Sequence, residues 1–437
     1  MLTHSLLPHG LMTRPHKDGL SRRAGWAGGE PIANVLMART LAQPELVSLA
    51  AGFVDPETLP VEPTRRAFEA IWSDPARARA ALQYGTTIGH LPLREAVLDR
   101  MLQADEKTES ELNVSVEQVV VTAGSNQLLY LVSDTLLDPG DIVICGAPSY
   151  FVYQGTLTNL GVRTVGVEID NHGLIPEAIE KTLARLERDG ELGRVKAIYA
   201  TTYYDNPSGV SVPAGRRAAM IELAKRWSRE NKIYLIEDAA YRELRYYGDD
   251  TASLRSFDPE GETVIHAGTF SKSFSPGIRV GWGVLPPRLV KPVLAMKGNI
   301  DFGSPHMNQT LMATVLEMGL FDPHVERLRD SYRTKLDATL GAADELLAPI
   351  DGVQWVRPTG GLYVWLRLPE TIDTGLSGSL FGRAVDEGVL YVPGEYCYPE
   401  TPRPSTNMIR LSFGIQSCES IYRGIEALAR AIRGVLS

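Results

Sequence analysis

Gly268-Thr269-Phe270-Ser271-Lys272-Ser273-Phe274-Ser275-Pro276-Gly277-Ile278-Arg279-Val280-Gly281 sets one lysine in a loop of small hydroxyl side chains, with an arginine just beyond it. The flanking runs 263–267 and 279–284 are apolar enough to be strands. A loop lysine is ordinarily solvated, because lysine is rarely buried without a role. The neighbours of Lys272 argue for a role. Thr269, Ser271 and Arg279 offer hydroxyl donors and a guanidinium, a set that can hold a phosphate dianion. An amine kept out of water and close to such cations loses basicity and becomes a nucleophile toward a carbonyl.

Around this loop, short runs rich in Val, Ile and Tyr alternate with longer amphipathic stretches. The runs 118–122, 141–145, 162–167, 195–201, 233–237, 263–267 and 279–284 read as strands, several too apolar for a half-exposed strand. Segments 126–137, 175–188 and 214–230 read as crossover helices, with Pro213 where a helix can begin and Asp138-Pro139-Gly140 where one must stop. This pattern predicts an α/β domain around a mostly parallel, seven-stranded sheet. From about residue 320 the character changes to a long charged helix (324–347), the stretch 353–368, a closing strand (409–413) and a final helix. The expected organisation is an N-terminal arm (1–30), a first part of a smaller α+β domain (31–60), a large domain (61–320) and the C-terminal part of the small domain (321–437).

The chain has 437 residues, 44% hydrophobic and 22% charged, which is the composition of an ordered globular protein. Lys and Arg total 44 against 53 acids, a formal charge of -9, and no basic run is long enough to grip nucleic acid. Three widely spaced cysteines argue against a disulfide framework and fit a reducing compartment, and no metal site is spelled out. Residues 1–29 lack the apolar core of a signal peptide, and no stretch approaches the ~20 apolar residues of a spanning helix. The expected location is the cytoplasm, without a membrane partner.

Two further stretches point at an anionic ligand. Val121-Thr122-Ala123-Gly124-Ser125-Asn126-Gln127 leads from a strand through a glycine turn into a helix, which offers free N–H groups and a positive dipole end to an anion. An ordinary capped helix is the competing explanation, since Ser and Asn are favoured caps. Asn407-Met408-Ile409-Arg410-Leu411-Ser412-Phe413 places an arginine on an apolar strand, where the guanidinium needs a planar anion: either a ligand carboxylate or a structural Asp or Glu.

The Lys272 segment closely resembles the cofactor-lysine motif of fold-type I pyridoxal 5′-phosphate (PLP) enzymes, specifically the class I/II aminotransferases. The resemblance runs from about Val47 to Ser412 and is nearest to the 2-aminoadipate and multisubstrate aromatic branch. It implies that Lys272 carries PLP as a Schiff base and then moves a proton between substrate and cofactor. Gly124, Ser125, Asn126, Thr269, Ser271 and Arg279 would hold the phosphate. In Ile236-Glu237-Asp238-Ala239-Ala240-Tyr241 the resemblance assigns the acid under the pyridine nitrogen to Asp238. Glu237 competes for that role, but strand alternation sends it to the opposite face. Asn206, in Tyr203-Tyr204-Asp205-Asn206-Pro207-Ser208-Gly209, and Tyr241 would bond the cofactor's phenolate oxygen. Tyr150, in Ala147-Pro148-Ser149-Tyr150, would stack on its ring. Tyr84, in Leu82-Gln83-Tyr84-Gly85, would reach the phosphate of a neighbouring subunit, which implies a homodimer. Arg410 would hold the α-carboxylate common to amino acids and 2-oxo acids, with Gly52 and Asn206 beside the substrate. The spelling departs from the commoner one at Asp205, in place of Gln or Pro, and at Ser208, in place of Thr, which bears on substrate preference and not on the chemistry.

The resulting expectation is a PLP-dependent aminotransferase that moves amino groups from aromatic, branched-chain or 2-aminoadipate-like L-amino acids to a 2-oxo acid such as 2-oxoglutarate, in ping-pong fashion. One rival is a lyase or synthase on the same fold, since the cofactor residues do not fix which bond at Cα breaks. The other is a ligand-sensing regulator, disfavoured because no basic helix-turn-helix segment precedes Pro31. Arg22 and Arg23 could reach a distal substrate carboxylate or be solvated.

Overall fold

A strand buried on both faces needs branched or aromatic side chains to fill a pleated surface, and a crossover helix needs one apolar stripe to cover it. Both requirements are met along the middle of the chain. The structure, a computed structural model, describes residues 19–27, 31–399 and 404–437. Strand β1 (Val47–Ser48) comes first, followed by β2 (Val119–Thr122), β3 (Ile142–Ala147), β4 (Arg163–Asp170), β5 (Gly173–Leu174), β6 (Val195–Thr201), β7 (Tyr234–Asp238), β8 (Val264–Thr269) and β9 (Gly281–Val284). The large sheet has the order β2-β9-β8-β7-β6-β3-β4-β5. Neighbours from β8 through β7, β6 and β3 to β4 are parallel, whereas β9 runs antiparallel to both β2 and β8. The seven strands expected from the sequence are all present. The eighth, β5, turns back on β4 over two residues, too few to leave a periodic signal.

Helices cover both faces of this sheet. Ser125–Leu136, Phe151–Asn159 and Pro287–Ile300 pack on a cluster that includes Val143, Tyr199, Ile236 and Ile265. Pro176–Arg188 and Ala214–Trp227 pack on Ile144, Ile198, Ala200 and Leu235 from the other side. Alternate residues of β6 thus serve opposite layers, as the pleat requires.

Strands β10 (Gln354–Trp355), β11 (Tyr363–Arg367), β12 (Val389–Leu390), β13 (Val392–Pro393) and β14 (Met408–Ser412) follow. Four of them make an antiparallel sheet, β10-β11-β14-β13, and β12 pairs in parallel with β1, Val47 opposite Val389. Helix Phe321–Leu346 and the final helix Cys418–Leu436 cover them. In the final helix Ile421, Ile425, Leu428 and Ile432 recur at helical spacing on the buried side, and Ser417 caps its start by accepting from Ser420 N at 3.1 Å. One apolar core joins Ile32, Leu36 and Leu49 to Leu336, Ile425 and Leu428. A buried ion pair, Lys335 Nζ to Asp55 Oδ2 at 2.7 Å, ties the segment after β1 to the long helix. Of the N-terminal arm, residues 1–18 and 28–30 lie outside the described residues; Arg22–Trp26 form a short helix whose Arg23 reaches Asp134 at 3.3 Å. Among the described residues no helix is long and apolar enough to cross a membrane.

Candidate active site

Strands β2, β3, β6, β7 and β8 all end at one edge of the large sheet, where α/β proteins bind ligands. Gly124, Tyr150, Asn206, Asp238 and Lys272 lie at or just after those ends. Lys272 is half-buried in the turn after β8, and its Nζ donates to the Gly52 carbonyl at 2.9 Å. Gly52 comes from the segment after β1, so that segment lies over the lysine.

The phosphate-type donors converge as the sequence suggests, with two differences. Helix Ser125–Leu136 begins at Gly124, φ +80°, and no side chain caps it. The competing explanation, a helix capped by Ser125 or Asn126, is therefore not what forms. A Cβ on Gly124 would lie 2.5 Å from Arg279 Nη2, so glycine is what lets the guanidinium stand over the helix start. Arg279 adopts φ +49°, a left-handed conformation that costs a residue with a Cβ roughly 1–2 kcal/mol, and donates through Nη1 to Ser271 Oγ at 3.3 Å. Thr269 is the second difference. Its Oγ1 sits 3.1 Å from the Val280 carbonyl and accepts from Ser271 N at 3.2 Å, so it braces Ser271. Helix start, Ser271 hydroxyl and Arg279 thus lie together, with Thr269 behind Ser271, a set of donors suited to a dianion.

Asp238 and Glu237 end β7 on opposite sides. Glu237 accepts from Thr202 Oγ1 (2.7 Å) and Leu254 N (2.9 Å) and meets His266 Nδ1 at 2.8 Å. Burial alone would raise its pKa, but His266, Arg217 and the Leu254 amide outweigh it and hold the carboxyl at about 2. Asp238 accepts from Tyr199 OH at 2.9 Å and Ala240 N at 3.2 Å. Burial dominates here and pushes its pKa upward, against the pull of Tyr199 and Ala240. A carboxylate in that condition is short of a cationic partner.

Arg410, on β14, is 3% exposed. Nη1 donates to Asn206 Oδ1 and Nη2 to the Ala50 carbonyl, each at 2.8 Å, both neutral acceptors, and Nε has no partner among the described residues. Its guanidinium stands 4.4 Å from the Tyr363 ring centroid and 5.3 Å from that of Phe151. A buried cation with an unused N–H and no acid among these partners fits an arriving carboxylate better than a structural ion pair. Tyr241 OH lies 3.1 Å from Tyr363 OH; burial, with Tyr363 and Tyr150 nearby, drives its pKa well above the usual phenol. Tyr150 stands beside Asn126 and feels Asp238 and Arg410, which brings it into the same group. Tyr84 stands apart: it is 81% exposed and meets Phe302 edge-on at 5.4 Å.

The family model for aminotransferase class I and II matches residues 44–428. The chain belongs to this family. The aromatic-amino-acid aminotransferase 1 of Thermococcus litoralis is 34% identical over 389 residues, 89% of this chain and 88% of that one. The structure of Pyrococcus horikoshii kynurenine aminotransferase, in complex with PMP and with KYN as substrate, superposes with a TM-score of 0.87 at 31% identity, covering 96% and 98% of the two chains. That of the α-aminoadipate aminotransferase of Thermus thermophilus, complexed with N-(5′-phosphopyridoxyl)-L-leucine, gives 0.81 at 31% identity, with the same coverage. The protein is a PLP-dependent transaminase.

For this aminotransferase, the site contains residues that the motifs did not announce. Tyr363 joins Tyr241 to the Arg410 side, and a Cβ on Gly52 would come within 2.7 Å of its hydroxyl. Its signal was the preceding Gly360-Gly361, where a Cβ at either position would strike Tyr204 and glycine is the residue that lets β11 approach. Tyr199 was hidden inside an apolar strand and is visible only through its bond to Asp238.

Proposed function

We propose that the protein transfers an amino group from an aromatic, branched-chain or 2-aminoadipate-like L-amino acid to a 2-oxo acid such as 2-oxoglutarate, in two half-reactions at one site. The observation that carries this reading is Arg410: a buried guanidinium with a free N–H, held by Asn206 and Ala50 rather than by an acid. Amino donor and oxo acceptor share only the α-carboxylate and the adjacent carbon, so one carboxylate receptor serves both half-reactions.

The bound cofactor supplies an aldehyde carbon for the amino group and a ring that withdraws the electrons of the Cα–H bond. The chain's own residues do the rest. Ser271, Arg279 and the N-terminus of helix Ser125–Leu136 anchor the phosphate, and Tyr150 covers the ring. Asp238, short of a counter-charge, holds a proton on the pyridine nitrogen. Tyr241 and Asn206 bond the phenolate oxygen, and Asn206 at the same time steadies Arg410. Lys272, once its amine is released, moves the proton at Cα, with the Gly52 carbonyl as its resting acceptor.

The exposed Tyr84, with Leu82 at 71%, Ile300 at 50% and Phe302 at 60%, supports a homodimer in which Tyr84 reaches the partner's phosphate. The test of function is a donor panel with 2-oxoglutarate, scoring both the new 2-oxo acid and glutamate. Stoichiometric appearance of the two is expected; release of ammonia in place of glutamate would move the function to a lyase.

A further inference from the structure

Asp205 is a buried acid that the reaction above leaves unused. It sits at 9% exposure in the turn that carries Asn206, and its Oδ2 accepts from Ser208 Oγ at 2.6 Å and Ser208 N at 3.2 Å. The Thr201 hydroxyl faces the same carboxyl and pulls its pKa down. Thr201 Oγ1 is also 3.3 Å from Tyr199 OH, which in turn bonds Asp238 at 2.9 Å. Two buried acids therefore stand at the ends of one line of polar groups, Asp205-Thr201-Tyr199-Asp238, the first three lining a common cavity. A cavity of about 20 Å³ lined by Asp205, Ser208, Thr201 and Tyr199 has room for one water beside the carboxyl.

The Thr201 hydroxyl has a single proton and two takers. When Asp205 is charged it draws that hydroxyl's hydrogen bond toward itself, and its charge also repels the electrons of Asp238. When Asp205 is protonated, Thr201 is released to donate to Tyr199 and so strengthens the Tyr199 bond to Asp238. Both effects make Asp238 the stronger base when Asp205 is ionised. Burial pushes Asp205 up to about 6, against the pull of Ser208 and Thr201. The other titratable groups facing it are Cys145 on β3 and Cys397 beside β13, both pushed by burial up to about 12, with Tyr199 and Asp238, and Arg410 beyond Asn206. Neither thiol titrates between pH 5 and 8.

We propose that Asp205 is a positioning acid for the cofactor: through Thr201 and Tyr199 its charge strengthens the hold of Asp238 on the protonated pyridine nitrogen. The proposal rests on the assignment of Asp238 to that nitrogen. The test dialyses holoenzyme between pH 5 and 8 against graded pyridoxal phosphate and reads bound cofactor by absorbance, for wild type, Asp205→Asn, Ser208→Ala and Asp238→Asn. The dissociation constant of Asp205→Asn relative to wild type should rise from near parity at pH 5 to on the order of tenfold at pH 8, one pKa unit of coupling. Ser208→Ala removes a donor to the charged form, so the midpoint of the wild-type pH curve should move upward. A ratio for Asp205→Asn that stays flat with pH overturns the proposal; if that variant does not fold, an unmoved midpoint in Ser208→Ala does so instead. Wild-type affinity in Asp238→Asn at pH 8 would overturn the Asp238 assignment itself, whereas loss in Asp238→Asn with none in Asp205→Asn would overturn only the coupling.

Discussion

Replacing Arg410 by glutamine keeps a donor for Asn206 or Ala50 and removes the charge and the free Nε. A carboxylate held by this guanidinium makes two charge-assisted hydrogen bonds, each worth roughly 1.5–3 kcal/mol, so about 3–6 kcal/mol is at stake. At 1.4 kcal/mol per tenfold, kcat/KM should fall by on the order of 10²–10⁴. The loss should be the same for aromatic, branched and 2-aminoadipate donors and for the oxo acid, because the α-carboxylate is what they share. Cofactor affinity should change by less than about threefold on the same scale, since the contacts of Arg410 are to Asn206, Ala50 and two rings rather than to the phosphate donors. Initial rates across the donor panel, with an amine that lacks the carboxylate as control, make the measurement. Wild type and variant should process that amine equally slowly. A loss below tenfold, or one confined to a single donor, would refute the assignment and return Arg410 to a structural brace.

Tyr363→Phe keeps the ring over Arg410 and deletes the bond to Tyr241; one neutral hydrogen bond of about 0.5–1.5 kcal/mol predicts a two- to tenfold fall in kcat at unchanged thermal midpoint. Glu237, lowered from 4.5 to about 2, contributes stability that is present above its unfolded pKa and is lost as pH falls through 2, roughly 3 kcal/mol in all. The urea midpoint of the wild type should therefore drop between pH 5 and 2 more steeply than that of Glu237→Gln. If Tyr84 serves the partner's site, mixing inactive Lys272→Ala with Tyr84→Ala should restore activity, because in the hybrid one site has an intact Lys272 and receives an intact Tyr84; two variants that stay additive would exclude a shared site.

What was legible in the sequence was whatever is local. Lys272, Arg279, Gly124 and Asp238 stand in short segments whose residue types already state a chemistry, and the strands that carry them are apolar enough to be read by eye. Strand alternation was enough to put Asp238 and Glu237 on opposite faces, while the choice of Asp238 for the site came from the resemblance. What was not legible depends on contacts distant in the chain. Tyr363 acquires its place only when β11 packs against the turn at Tyr204, and the Gly52 carbonyl only when the segment after β1 crosses Lys272. Thr269 shows the same dependence on folded contacts: a hydroxyl in a phosphate-type loop can serve the ligand, the loop or both, and its contacts to the Val280 carbonyl and the Ser271 amide appear only in the fold.

The paired acids at the end of β7 show how one strand supplies two opposite electrostatic conditions. Adjacent residues on a pleat face different layers, so two carboxyls separated by one peptide bond can have separate surroundings. Glu237 points into a layer that provides His266, Arg217, Thr202 and an amide, and it is held charged by partners that belong to the protein. Asp238 points to the open edge with one phenol and one amide, too few donors to offset its burial. The deficit left at Asp238 is a negative charge, and the deficit left at Arg410 is an acceptor for a free N–H. A ligand that satisfies both carries a positive charge or an N–H donor at one end and a carboxylate at the other, as the cofactor joined to an amino acid would.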